Sequence, residues 1–378
     1  MTESLPLPED LGPGTIPTSD GGPIIQVEHL KKLFELKRGF FQSLRGDSPL
    51  VHAVDGVSFT LDSGEILGLV GESGCGKTTT GRLISRLETP TEGRILFQGV
   101  DIGGLDARDM FLFRRELQMI FQDPYESLNP RYSVMRAISE PLLIHHVGDT
   151  REARAELVIR ALEDAGLRPG TDFIDRFPHE LSGGQRQRVA IARAIVLNPK
   201  VIIADEPVSM LDVSIRAGVM NLMLELRDKY HIPYVFITHD IAVARYMSDR
   251  IAVMYLGRVV EEAATEEVIA HPTHPYTRAL LSAVPIPDPE HVYSAVPIRG
   301  ELPSPIDLPT GCRFNTRCLL AQGICQVTRP PRVEVSPGHF AECHFAEEIF
   351  EGRLVEPKVQ PDAAPAPPAV PPATPGGP

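Results

Sequence analysis

The sequence predicts an α/β fold with a parallel sheet at its centre, and three observations carry that prediction. Short, wholly apolar runs such as Val201 to Ala204 (VIIA) have the composition of strands buried on both faces. Such runs alternate with amphipathic helical stretches, the pattern of strands joined by crossover helices. A third apolar run, Ile66 to Val70, passes directly into GESGCGKTT, residues 71–79, and then into a stretch with Leu83, Ile84 and Leu87 at helical spacing. Strand, glycine-rich loop and helix form the context in which G-x-x-x-x-G-K-[ST] becomes an anion site. Gly71, Gly74 and Gly76 let the backbone curl so that successive N–H groups converge, with Ser73, Cys75 and Thr79 in the same loop. The helix starting near Lys77 adds its positive dipole end. The Lys77 ammonium is placed for β- and γ-phosphates and the Thr78 hydroxyl for Mg²⁺, so ATP is the expected ligand.

Taken in order, the chain opens with residues 1–23, acidic and rich in Pro and Gly, which read as a disordered lead-in without a charged start or an apolar core segment. Ile24 to Leu30 and Gly56 to Leu61 read as half-exposed strands, and the basic stretch Lys31 to Pro49 between them as a loop or hairpin. With Arg94 to Phe97 they suggest an antiparallel β subdomain; Gln118 to Phe121 is a further short strand. Asp149 to Ala165 is a helix with Leu157, Val158, Leu162 and Ala165 on one face and Gly166 as its cap. Gln185 to Val196 is another, stopped at Asn198-Pro199. Val213 to Leu226 follows, with Ile215, Val219, Leu222 and Leu226 inward, and then the strand Tyr234 to Thr238. The helical stretch of about 125–195 interrupts the alternation and reads as a subdomain within a nucleotide-binding domain of 24–285. Residues 286–346 turn to proline-rich loops carrying a cysteine cluster, and 347–378 form a Pro/Ala-rich tail expected to be disordered.

Composition narrows the function. The 378 residues allow two domains, or one with appendages. Lys+Arg 37 against Asp+Glu 50 gives a net charge of −13, which argues against nucleic acid as the main partner. No apolar run reaches the ~18–20 residues of a membrane span, so the expected compartment is the cytosol, where thiols stay reduced.

The second half of the phosphate site is VIIADEP, residues 201–207. An apolar strand ending in an acid puts Asp205 at the carboxyl edge of the sheet, where it can hold Mg²⁺. Glu206 follows directly and can polarise a water for attack on the γ-phosphate.

Four more segments complete a set: Gln122 after an apolar strand, LSGGQ at 181–185, SMLDVS at 209–214 and ITHD at 237–240. Together with the loop and ADEP they resemble an ABC-transporter ATPase, over roughly residues 24–285. The resemblance implies a P-loop NTPase (RecA-like) core with an antiparallel β subdomain and a helical subdomain. It implies that Ser182, Gly183, Gly184 and Gln185 form the signature loop closing over ATP held by an opposing subunit. By the same resemblance Gln122 senses Mg²⁺ and the attacking water, His239 contacts the γ-phosphate, and Asp212 crosses the dimer interface. Met210 stands where the family has alanine, adding bulk at that interface. Phe34 falls where the family stacks an aromatic on adenine, with Phe40 and Phe41 as neighbours.

A finer resemblance lies in GESGCGKTTTGRL, FQDPYESLNPR, RFPHELSGGQRQR and HPTHPYTRALLSAVP, which are similar to the F-type ATPase subunit of oligopeptide/dipeptide importers. It implies a head-to-tail heterodimer with a D-type subunit, two transmembrane permease subunits, an extracytoplasmic substrate-binding protein, and a place on the cytoplasmic face of the membrane. Relatives of this type also carry nickel or oligosaccharides, and a soluble ABC ATPase is the reading from another class. Cys312, Cys318, Cys325 and Cys343, spaced C-x5-C-x6-C-x17-C, lack the close pairs of a zinc knuckle. They resemble the four-cysteine [4Fe–4S] motif of some peptide-importer ATPases; zinc and uncoordinated thiols are the alternatives.

Overall fold

The structure, a computed structural model, describes residues 22–36, 49–123, 127–284, 296 and 298–355. The expected disordered lead-in, apart from Gly22 and Pro23, the neighbours Phe40 and Phe41, and most of the Pro/Ala-rich tail lie outside these residues.

Two sheets carry the fold. In the first, β1 (Ile25–Glu35), β2 (Leu50–Leu61), β4 (Glu92–Phe97) and β5 (Val100–Asp101) pair antiparallel in the order β2-β1-β4-β5. The stretch 31–49, expected as a loop or hairpin, is strand as far as Glu35, because β1 stays paired with β2, through register shifts, up to the Glu35–Leu50 pair. The second sheet has eight strands in the order β11-β12-β10-β9-β3-β8-β7-β6. Its centre is β3 (Ile66–Val70), parallel to β8 (Tyr234–Thr238) and β9 (Arg250–Tyr255); β8 is parallel to β7 (Val201–Asp205), and β7 to β6 (Leu117–Ile120). Antiparallel β10 (Arg258–Ala264), β12 (His339–Glu342) and β11 (Arg332–Ser336) extend it.

The central strands are apolar along most of their length because successive side chains enter different cores. Ile202, Ala204, Tyr234 and Phe236 face the helical lobe with Val189, Val219 and Met223. Val201, Ile203, Val235 and Ile237 face the antiparallel sheet with Ile25, Phe59 and Phe97.

The helices are α1 (Lys77–Ile84), α2 (Ala107–Glu116), α3 (Val134–Ile144), α4 (Arg151–Asp164), α5 (Gly183–Ile195), α6 (Val213–Tyr230), α7 (Ile241–Met247), α8 (Thr265–Ala270), α9 (Pro275–Ser282), α10 (Gly323–Val327) and α11 (Ala346–Phe350). Leu87, expected on the inner face after the glycine loop, lies beyond α1 and is 53% exposed. Ile215, expected inward, is 36% exposed at the start of α6, where it covers Gly184 instead: a Cβ on Gly184 would stand 2.5 Å from its Cγ2. No helix among the described residues is long and apolar enough to cross a membrane.

The C-terminal region folds onto the core rather than apart from it. Its β12 hydrogen-bonds to β10, and Phe314 stands edge-on to Tyr255, with ring centroids 5.2 Å apart, and against Tyr276 at 5.5 Å. A segment with few apolar residues of its own thus becomes ordered by sharing a core with Val70, Tyr255 and Tyr276.

Candidate functional site: the phosphate loop and its surroundings

The loop between β3 and α1 is shaped by backbone that tolerates no side chain. A Cβ on Gly76, at φ 106°, would lie 2.2 Å from the Ala53 carbonyl, and one on Gly71 2.2 Å from that of Met254. The loop is therefore wedged between β2 and the end of β9, with Gly257 N–H donating to the Cys75 carbonyl. Lys77 is buried at 4% exposure, and its Nζ donates to the carbonyls of Gly71 at 2.7 Å and Glu72 at 3.0 Å. Burial pushes the Cys75 thiol up, and the nearby Lys77 charge opposes that shift.

A cleft of about 620 Å³ opens over this loop. Ser73, Gly74, Gly76, Lys77, Thr78, Thr79, Gln122, Glu206 and His239 line it, as the sequence predicts. Gly71, Cys75 and Asp205 stand behind that lining. Thr78 Oγ1 donates to Asp205 Oδ1 at 3.0 Å, so two hard oxygens meet at the head of α1, a donor set suited to Mg²⁺. Burial raises the Asp205 carboxyl above its ordinary value, against the lowering effect of the Thr78 hydrogen bond, and the Glu206 charge adds to the rise.

Glu206 adopts φ 45°, which turns its side chain out of the strand direction. Its Oε2 accepts from Gln122 Nε2 at 3.2 Å and lies 3.1 Å from His239 Nδ1. These three come from the ends of β6, β7 and β8, the carboxyl edge where parallel sheets gather ligands. A carboxylate held on one oxygen by an amide and an imidazole leaves its other oxygen to take a proton from a water in the cleft.

Two groups of predicted residues stay outside this cleft. Ser182 caps α5 in a reciprocal box with Gln185: Gln185 N–H donates to Ser182 Oγ at 3.3 Å, and Ser182 N–H to Gln185 Oε1 at 3.0 Å. Ser182, Gly183, Gly184, Gln185 and Asp212 are not part of their own chain's lining. Phe34 is likewise absent from it; it pairs across the strands with Val51, which does line the cleft, and Lys32 Nζ sits 4.8 Å from its ring centre. Val51, Ala53 and Pro305 line the cleft on that side. Sequence offers no signal for Pro305, whose carbonyl reaches the cleft by accepting His52 N–H at 3.0 Å.

The profile of the ABC transporter family matches residues 54–209, and that of the oligopeptide/dipeptide transporter C-terminal region matches 260–325. The oligopeptide transport ATP-binding protein AppF of Bacillus subtilis is 50% identical over 325 residues, which cover 85% of this chain and 97% of the relative. The chain belongs to the ABC-transporter ATPases of the oligopeptide/dipeptide family. A putative oligopeptide transport ATP-binding protein of the same organism, YkfD, is 48% identical over 85% of this chain and 95% of its own length. Among solved structures, the ATP-binding cassette MJ0796 in a dimeric post-hydrolysis state bound to ADP and Pi matches with a TM-score of 0.55 and 29% identity, covering 64% of this chain and 98% of that one. CbiO1 of Clostridium perfringens gives the same score and identity over 66% of this chain and 91% of its own. As an ABC ATPase the protein binds and hydrolyses ATP with Mg²⁺, and ATPases of this kind power assemblies that include permease subunits and a substrate-binding protein.

The four C-terminal cysteines depart from expectation in one respect. Among the described residues no group of three or more His, Cys, Asp or Glu closes on a point where a metal ion could sit. Cys312, Cys318, Cys325 and Cys343 nevertheless line one enclosed cavity with His274, Phe314 and Phe345, and none of them forms a disulfide. Burial pushes the Cys312 thiol up to about 11, with Cys325 and Glu342 adding to it, and the Cys343 thiol up to about 12, with Cys312, Cys318 and Cys325 adding to it.

Proposed function

We propose that this ATPase drives uptake of peptides through a membrane importer, as the F-type member of a head-to-tail pair with a D-type subunit. The observation that carries the reading is the Glu206 carboxylate held by Gln122 and His239 over the phosphate loop, in a chain half identical to an oligopeptide transport ATPase along 85% of its length. In it Lys77 and the loop N–H groups hold the β- and γ-phosphates, Thr78 and Asp205 hold Mg²⁺, Glu206 takes the proton of the attacking water, and His239 and Gln122 orient that carboxylate. Ser182 and its glycines serve the ATP of the partner subunit. Their absence from their own chain's cleft supports this, as do Met210 and Val213, 61% and 81% exposed on either side of Asp212. Two permease subunits would dock this pair on the cytoplasmic face, and an extracytoplasmic binding protein would select the cargo. The test is to co-purify the chain with its membrane subunits and measure ATP hydrolysis with peptides, nickel and oligosaccharides. Stimulation by peptides alone is expected; stimulation by either other cargo reassigns it.

The cysteine cavity is best read as the seat of a [4Fe–4S] cluster. Four thiols line one cavity of about 10 Å³, so they would have to move apart to admit the cluster, and the reading rests on their number and spacing. Thiols pushed up by burial would give up their protons to such a group on binding. Iron and acid-labile sulfide analysis after anaerobic purification tests this; stoichiometric zinc without sulfide refutes it.

A further inference from the structure

The phosphate loop carries an acid that its own function does not want. Glu72 is the second residue of the loop and lines the cleft, so it brings a carboxylate close to where a polyanion must arrive. Left alone, it would repel phosphates and compete for Lys77.

The C-terminal region neutralises it. Arg317 Nη1 donates to Glu72 Oε2 at 2.9 Å and Nη2 to Oε1 at 3.2 Å, a two-pronged pair across 245 residues of sequence. The Arg317 side chain is 10% exposed, so water screens the pair weakly. Its guanidinium lies over the Tyr255 ring, 5.8 Å from the centre. The remaining polar groups of Glu72 are also held: its N–H donates to Tyr276 Oη at 2.9 Å, and its carbonyl accepts from Lys77 Nζ at 3.0 Å. Fixing Glu72 therefore fixes the carbonyl that aims Lys77.

Arg317 is itself anchored. Its N–H donates to the Phe314 carbonyl at 3.0 Å, and Phe314 packs on the same two tyrosines. A second clamp acts beside it, where Arg313 Nη2 donates to Asp55 Oδ2 at 2.6 Å, two residues from the cleft-lining Ala53.

We propose that Arg317 is a positioning residue for ATP binding: by pairing with Glu72 it cancels the negative charge at the mouth of the phosphate loop and holds the loop in its anion-accepting shape. The proposal rests on ATP occupying this cleft. It places part of the nucleotide site in the C-terminal region, and it assigns the effect to affinity rather than to the chemical step, since Arg317 lies outside the Glu206, Gln122 and His239 cluster.

The test is a double-mutant cycle on the full-length chain, with ATP affinity read by equilibrium titration and KM and kcat measured in the assembled transporter. Arg317→Ala should weaken ATP binding by about tenfold, within the range of coupling between contacting charges, and raise KM with little change in kcat. Adding Glu72→Gln to Arg317→Ala should restore affinity to within about threefold of wild type, because the unpaired charge is gone. Arg317→Lys should fall between. Unchanged affinity in Arg317→Ala, or a double variant as weak as Arg317→Ala, overturns the proposal; the second result would mean that only the fold of the region was lost. A wild-type chain that binds no ATP overturns the reading of the cleft together with the proposal, whereas wild-type binding with an unaltered Arg317→Ala overturns the proposal alone.

Discussion

The nucleotide cleft and the cysteine cavity are both rings of donors around a space, but they are built in opposite ways. In the cleft every charged group already has a protein partner: Lys77 rests on two carbonyls, Thr78 on Asp205, and Glu206 on Gln122 and His239. In the cavity the donors are three buried thiols and the half-buried Cys318 among aromatic side chains, and burial holds Cys312 and Cys343 protonated. The cleft is pre-organised for an exchangeable ligand and must survive its departure. In the cavity the proposed cluster would add cross-links to a region that already shares a core with Val70, Tyr255 and Tyr276. A site for turnover and a site for permanence thus differ in where the donors' hydrogen-bonding capacity goes before the ligand arrives.

The largest effect that would sharpen this contrast lies in the cleft. Glu206→Gln should lower hydrolysis by about 10²–10⁴-fold, the range of a lost general base, while ATP binding persists; turnover at the wild-type rate in the assembled transporter would remove Glu206 from its assigned place. Next, Lys77→Ala should weaken ATP by about 2–3 kcal/mol, the scale of charge-assisted hydrogen bonds, in a chain that still unfolds cooperatively. A variant that unfolds outright would show that the cleft is less self-sufficient than its partners imply.

The cavity should answer differently. If the cavity holds the proposed cluster, removing it with an iron chelator under mild reduction should lower the thermal midpoint by several degrees, the scale of about 1–2 kcal/mol in a chain of this size. Cys343→Ser should do the same in chain purified without chelator. An unmoved midpoint would break the contrast.

Ser182→Ala should cost about 1 kcal/mol of cap stability at α5 and impair hydrolysis of the ATP held by the partner subunit. Dimers in which only one chain carries the substitution separate this from damage to its own ATP.

The smallest effect is a pH dependence. Burial and the Glu206 charge raise the Asp205 carboxyl, so the folded, metal-free chain holds that proton at a pH where the unfolded chain has lost it. The charged carboxylate therefore costs stability at neutral pH, and the cost disappears as pH falls through the raised value. Mg²⁺ must displace the same proton. Mg²⁺-dependent ATP affinity should decline as pH falls toward the raised Asp205 value more than affinity measured without the metal, and Asp205→Asn should abolish the difference.

The cleft was legible in sequence wherever chemistry is local to a strand end or a turn. GESGCGKTT, ADEP and ITHD each place their residues by the backbone around them, and the structure brings Lys77, Thr78, Glu206 and His239 to one wall. What escaped was contact over distance. Pro305 and Arg317 reach the loop from the far end of the chain, and neither periodicity nor composition encodes which loop they will meet. Phe34 pairs with the cleft-lining Val51, and that strand register is not readable from one strand. In the C-terminal region the cysteines stood out, but β11 and β12 did not, because their sequence alternates weakly and their partner is β10.

That pairing has a consequence for how the chain can be cut. β12 covers β10 through the Glu261–Ala341 and Glu262–Phe340 pairs, and it brings His339 against Glu261, with Arg332 of β11 against Glu262. A fragment ending at residue 284 would leave a row of unsatisfied backbone groups along β10, while Glu261 would keep the Thr273 and His274 N–H groups and Glu262 would keep Arg250. Bare strands of that kind recruit other chains, so such a fragment should self-associate and precipitate as its concentration rises, and charged substitutions along β10 should keep it dispersed.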